Sequence, residues 1–147
     1  MQITPLYSDT DRSMKILVLA SGRGTNFEKI HSRQIELEQD GGGKNYGAVE
    51  HVFSNSPEAA VLEKAEALGI ETSSISSEKF FTDLGKRPSD EDGRVLYDSA
   101  VISHIEGLFE PDLVVLAGYR RRLSRLFTER TIQTLSLIHI SEPTRPY

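Results

Sequence analysis

The sequence predicts a doubly wound α/β domain built on a mostly parallel sheet. Three observations carry this prediction. Short unbroken runs of Ile, Leu, Val and Ala recur at 15–19 (KILVL) and 113–117 (LVVLA), as expected of strands covered on both faces. Segments of helical period alternate with the strand-like runs, which is the mark of parallel βαβ units with right-handed crossovers. A glycine-bearing turn, Ser21-Gly22-Arg23-Gly24-Thr25-Asn26, follows the first run and leads into a helical pattern. There is no internal repeat.

The elements follow in order. Residues 15–19 read as a buried strand, and from Asn26 a helical pattern runs to about Glu38. The stretch 39–45, with Gly41, Gly42 and Gly43, reads as a loop. AVEHVF at 48–53 is the second strand. Ser56 can then cap a helix with Pro57 at its first position, running to Leu68 and closed by Gly69. Residues 71–75 form a weaker third strand. The acidic segment 76–93 is interrupted by Gly85, Pro88 and Gly93, so an exposed loop is expected, longer than the ordinary connection of about 2–6 residues. In 95–109 the residues Tyr97, Val101, Ile102, Ile105, Leu108 and Phe109 share one helical face, and Pro111 stops the helix. LVVLA at 113–117 is the strongest strand and is expected at the centre of the sheet.

Composition bounds the function. A chain of 147 residues fits one domain and can bury roughly 68–70% of its unfolded surface without a covalent staple. The absence of cysteine removes disulfides, thiolate zinc sites and a cysteine nucleophile. A net charge of −5 argues against a general nucleic-acid binder, so any anion site must be local. No apolar run approaches the ~18 residues of a membrane span, and the first residues are polar and acidic, unlike a signal peptide. The expectation is a soluble cytoplasmic protein that needs neither membrane nor nucleic acid. His31, His51 and His104 show no metal-ligand spacing and read as structural or exposed, so no metal is expected.

Both ends are set apart from the predicted domain, which covers 14–134. Residues 1–13 show no period and Met14 opens onto the apolar run. They read as a disordered extension, or Met14 is the true start. At the other end, 135–147 reads LSLIHISEPTRPY, and its first eleven residues can be back-translated into a string that resembles a transposase-type sequencing-library adapter. On that reading 135–147 is an artificial, adapter-derived tail that carries no biology, with a natural amphipathic tail as the alternative.

The turn at 21–26 is the place to expect an anion, because its glycines let backbone N–H groups approach one at the positive end of a helix. Thr25 and Asn26 can add side-chain donors or cap the helix; a plain strand-to-helix turn is the alternative. Phe27 stands where a dinucleotide fingerprint wants a third glycine, and Ser54 and Asn55 where it wants an acid. No GK[ST] triplet occurs either. A monophosphate fits better than a dinucleotide or a triphosphate. The second candidate is the turn at 117–124, AGYRRRLS, beyond the other strong strand, where ligands of open α/β sheets bind. Its three arginines can hold carboxylates or phosphates bidentately, against the alternative of a solvated basic turn.

Taken in order, KILVLASGRGTN, HVFSN, PEAAVLEKAEALGI, GRVLYD and PDLVVLAGYRRRLS resemble the phosphoribosylglycinamide formyltransferase family from residue 15 to about 134. The resemblance implies the Rossmann-like amino-terminal half of an enzyme of purine biosynthesis, moving a formyl group from 10-formyltetrahydrofolate to the amine of glycinamide ribonucleotide. It places Gly24, Thr25 and Asn26 on the substrate phosphate. Arg120, Arg121, Arg122 and Leu123 would form the folate-contacting turn, with Arg121 at the family's usual arginine and Arg120 and Arg122 where apolar residues are more usual. Arg94 would meet a carboxylate of the folate, its alternative being an exposed helix-start arginine. The family's catalytic Asn and His, in an Asn-x-His-Pro motif, and a later Asp are expected beyond the genuine sequence. Leu137 and Ile140 stand where that Asn and Pro would, so His139 reads as a decoy and the chain as inactive alone. Formyltetrahydrofolate deformylase is the nearest alternative, although it normally carries a regulatory domain ahead of this half. Methionyl-tRNA formyltransferase fits less well, lacking the SGxG[ST]N pattern. The remaining alternatives are a non-catalytic phosphate-binding Rossmann-like module and a nicotinamide-dependent oxidoreductase.

Overall fold

The computed structural model describes residues 13–41, 47–134 and 136–140. The elements run β1 (Met14–Ala20), α1 (Thr25–Asp40), β2 (Gly47–Ser54), α2 (Ala60–Ala67), β3 (Glu71–Ser74), α3 (Ser77–Leu84), α4 (Glu91–Glu106), β4 (Leu113–Ala117), α5 (Arg125–Thr134) and β5 (Ser136–Ile140). The strands form one sheet in the order β3-β2-β1-β4-β5, and every pair is parallel.

Alternating side chains send β1, β2 and β4 into two separate cores, as the doubly wound prediction requires. On one face Val18, Ala20, Val52, Val115 and Ala117 pack with Phe27 of α1 and Val61, Leu62 and Ala65 of α2. On the other, Leu17, Leu19, Phe53, Val114 and Leu116 pack with Phe81 of α3, Tyr97, Val101 and Ile105 of α4 and Phe127 of α5. Every side chain of β4 is buried, which explains its unbroken apolar sequence. Sheet order reverses between β1 and β4, so the loops leaving their carboxyl ends diverge over opposite faces and leave a crevice there.

Several elements differ from expectation. Residues 76–93 are not a loop. Ser76 caps α3 by accepting the Lys79 N–H at 3.2 Å, and Gly85, at φ 64°, closes it. This helix looked like loop because Phe81 is its only buried residue. The next helix, α4, starts at Glu91 rather than Val95 and takes in Gly93, where a Cβ would stand 2.7 Å from Phe81 Cε1; the glycine is there for close packing, not to break the helix. Neither Ser56 nor Pro57 starts α2. Residues 56–59 form a turn closed by Ala59 N–H to Ser56 C=O at 3.1 Å, and α2 begins at Ala60. Helix α1 includes Gln39 and Asp40 and ends at Gly41; the rest of the expected glycine loop, 42–45, lies outside the described residues. So do 1–12 of the expected extension and 135 and 141–147 of the expected tail, while β5 takes residues 136–140 along β4.

Candidate active site

Three strand ends are tied together at the crevice by one hydroxyl. Ser21, just past β1, donates from Oγ to Asn55 Oδ1 beyond β2 at 2.5 Å and accepts the backbone N–H of Arg120 beyond β4 at 2.8 Å. Asn55 Nδ2 in turn donates to Ser77 Oγ at 3.1 Å, which brings in the start of α3. The loop after β1 is further fixed where Val61 N–H of α2 donates to Gly22 C=O at 3.0 Å. That bond uses a first-turn N–H of α2 that would otherwise lack a partner.

Gly24 is the residue on which this loop turns. It sits in the left-handed region at φ 80°, ψ 24°, and a Cβ there would lie 2.7 Å from Val61 Cγ2. Both conditions demand glycine. Gly24 is also the N-cap of α1, and no side chain caps the helix, so neither Thr25 nor Asn26 takes the capping role open to them in sequence. The first intrahelical bond is Glu28 N–H to Gly24 C=O at 2.9 Å, so the N–H groups of Thr25, Asn26 and Phe27 precede the ladder. Asn26 Nδ2 is buried without a hydrogen-bond partner. The result is a rigid cluster of donors at a positive helix end, suited to an anion.

The three arginines after β4 are dispersed rather than acting as one anchor. The Arg120 guanidinium lies over the first loop, its Nη2 3.5 Å from where a Gly22 side chain would begin. Arg121 turns inward, with Cζ 4.6 Å from the Phe81 ring centre and 5.2 Å from that of Tyr97. Its Nε and Nη2 are buried without partners. Arg122 is exposed, and Leu123 packs against the second core. Arg94 is not an exposed helix-start residue. Its side chain is 11% exposed, one amino group is paired with Glu91, and its Nε is buried and unpartnered.

Sequence reasoning missed two buried groups beside these cations. Asp98 of α4 is 1% exposed and accepts the Ser124 N–H at 2.6 Å, just ahead of α5. Burial pushes its carboxyl above the usual carboxylate range, while Ser124, Arg121 and Arg94 pull it back. Tyr97, fully buried, donates its hydroxyl to Ile75 C=O at 2.7 Å, and burial pushes that phenol and the neighbouring Tyr119 phenol upward. The spacing of Arg94, Tyr97 and Asp98, at i, i+3 and i+4 of one helix, was the available signal. Away from the crevice, His51 bonds to Ser73 Oγ at 2.7 Å. His31 rests beside Phe27 and His104 beside Phe53. His139 takes the register position opposite Leu116 in β5. Among the described residues no group of three or more His, Cys, Asp or Glu could hold a metal ion.

Comparison with known proteins agrees with this geometry. The profile of the family described as formyl transferase matches residues 14–143. The chain is 35% identical over 128 residues to the phosphoribosylglycinamide formyltransferase of Escherichia coli (strain K12), covering 87% of this chain and 52% of that protein. It is 37% identical over 109 residues to the protein of the same name from Schizosaccharomyces pombe, covering 74% and 48% respectively. Among solved structures, the phosphoribosylglycinamide formyltransferase of Brucella melitensis superposes with a TM-score of 0.65 at 27% identity, over 92% of this chain and 60% of that one. The enzyme of that name from Coxiella burnetii gives 0.59 at 31% identity, over 81% and 47%. The chain thus spans about half the length of the curated relatives it matches. With the parallel sheet, the switch-point crevice and these matches together, the chain belongs to the formyl transferase family.

Proposed function

We propose that this chain carries the substrate-binding half of a phosphoribosylglycinamide formyltransferase, which transfers a formyl group from 10-formyltetrahydrofolate to the amine of glycinamide ribonucleotide in purine biosynthesis. One observation carries the reading: the start of α1 has no side-chain cap, turns on Gly24, and keeps the Asn26 amide buried and unpartnered at the crevice. Gly24, Thr25 and Asn26 would receive the substrate phosphate through backbone N–H groups and the Asn26 amide.

The residues across the crevice fit a folate-type donor. Arg121 has two buried nitrogens without partners and Arg94 one, which suits an anionic, planar ligand. Bound there, the donor supplies the formyl carbon. Arg94 and Arg121 would hold its carboxylate or polar ring edge, with Leu123 shaping the apolar wall. Arg120 stands nearer the phosphate loop than the other two, and Arg122 would act at the rim. No catalytic side chain is assigned to this chain.

The domain is read as 14–134, with 1–13 an extension and 135–147 adapter-derived. Resequencing the source DNA through the Thr134 codon tests this, and a natural frame running on through 135–147 would overturn it. The same reading makes the protein cytoplasmic, with small-molecule partners and neither metal, nucleic acid nor membrane. Among the described residues no helix is long and apolar enough to cross a membrane.

Calorimetry with glycinamide ribonucleotide tests the site. Asn26→Ala is expected to weaken binding about tenfold, the worth of one charge-assisted hydrogen bond, with the urea midpoint unchanged. An isotherm that the substitution leaves unaltered overturns the phosphate assignment.

A further inference from the structure

A buried carboxylate needs a reason, because an amide in its place would keep the hydrogen bond without the cost of desolvating a charge. Asp98 is 1% exposed, and the bond to it that orders the β4–α5 turn is a single backbone N–H, from Ser124 at 2.6 Å. An asparagine oxygen could accept that bond equally well. Something else must require the charge.

The surroundings supply it. Ser124 bonds to Asp98, and the charges and dipoles that act on it come from Arg94 on its own helix and from Tyr97, Tyr119 and Arg121 around it. Arg121 is enclosed beneath Phe81 and Tyr97, with no carboxylate bonded to it among the described residues. A guanidinium buried on two aromatic rings gains from them but still lacks a counter-charge. Asp98, next to Tyr97 on α4 and bonded to Ser124 on the turn that carries Arg121, is the carboxylate whose field acts on that guanidinium. It compensates the cation without occupying its Nε and Nη2, which are left free for a ligand. The arrangement is compact in sequence: α4 gives the aromatic rest and the anion at adjacent positions, and the turn it caps, 118–124, carries the cation.

We propose that Asp98 is a positioning residue, whose negative charge holds the Arg121 guanidinium with its free nitrogens presented to the ligand crevice, while its hydrogen bond to Ser124 fixes the turn on which Arg121 rides. The ligand is the folate-type donor of the reading above, on which this part of the proposal rests; the positioning itself does not depend on the ligand's identity.

The test separates charge from hydrogen bond in the full chain, using hydrogen exchange followed by nuclear magnetic resonance. In Asp98→Asn the Ser124 amide stays protected, because the side-chain oxygen still accepts it. The Arg121 Nε–H, buried in the wild type, exchanges at least about tenfold faster, and binding of 5-formyltetrahydrofolate weakens about fivefold, as expected for one lost charge at intermediate dielectric. Equal Arg121 protection in wild type and Asp98→Asn overturns the proposal and leaves Asp98 a cap for the turn. Should the wild type bind no folate, the donor reading falls while Arg121 exchange still decides the positioning. Arg121→Met covers the case in which Asp98→Asn does not fold. With the cation gone, the Asp98 carboxyl carbon must titrate at higher pH than in the wild type; an unmoved titration also overturns the proposal.

Discussion

Replacing Gly24 with alanine probes both demands made on the loop after β1. Alanine at φ 80° adopts a left-handed conformation that costs an L-residue roughly 1–2 kcal/mol. Its Cβ would also lie 2.7 Å from Val61 Cγ2, 2.9 Å from Val61 Cβ and 3.0 Å from Val61 Cα. Rotating the valine relieves only the first of these contacts. The start of α2 must therefore shift, against the bond from Val61 N–H to Gly22 C=O, and overpacking of this kind costs about 1–3 kcal/mol. The stiffer unfolded chain returns about 0.4–1 kcal/mol. The net loss is about 1–4.5 kcal/mol, centred near about 3, a large share of the roughly 5–15 kcal/mol that holds a domain together. Gly69 is the internal control, since it has φ 76° with nothing within 4 Å of a Cβ. Gly69→Ala bears only the backbone strain, less the same return, or about 1 kcal/mol. In urea unfolding followed by circular dichroism, with an m-value of about 2 kcal/mol/M, the midpoint should fall by about 1–2 M for Gly24→Ala and by about 0.5 M for Gly69→Ala. Equal shifts would refute the claim that Val61 crowds the loop.

Two further predictions concern buried groups, one beside the crevice and one away from it. Tyr97→Phe removes the bond to Ile75 C=O but keeps the ring under Arg121, so the urea midpoint should fall by the equivalent of about 0.5–1.5 kcal/mol with folate binding unchanged; a matching loss of folate binding would contradict this. Burial, then His104, lowers the His51 pKa, with Glu71 opposing, so the folded state prefers neutral imidazole. That stability is complete above the unfolded value of about 6.5 and is lost as pH falls through the lower folded value. Urea midpoints at about pH 7.5 and about pH 5.5 should therefore differ more in the wild type than in His51→Gln, and identical differences would remove His51 as the cause.

The parts of the fold legible in sequence are those whose physics is local. KILVL and LVVLA are strands because both faces are covered, and each lies where its apolar run placed it. The glycine turn at 21–26 was legible because only such a turn between strand and helix can expose so many N–H groups. What escaped was tertiary. Helix α3 shows the core little but Phe81, so its Ser76 cap and Gly85 stop were overshadowed by polar composition. Gly93 resembled a breaker because nothing in the sequence says that Phe81 needs the space. The divergence of Arg120, Arg121 and Arg122 follows from contacts with Ser21, Phe81 and solvent respectively, which three identical letters in a row cannot distinguish.

The central claim is that the crevice between β1 and β4 receives a phosphate at the start of α1. Its most direct test is an amide resonance titration of the full chain with glycinamide ribonucleotide, set beside the same molecule without its phosphate. The account predicts that the ribonucleotide moves the amides of Gly24, Thr25, Asn26 and Phe27 most, with Arg120 following, and that the phosphate-free analogue leaves them in place. Ribonucleotide binding that leaves those four amides unmoved would contradict it.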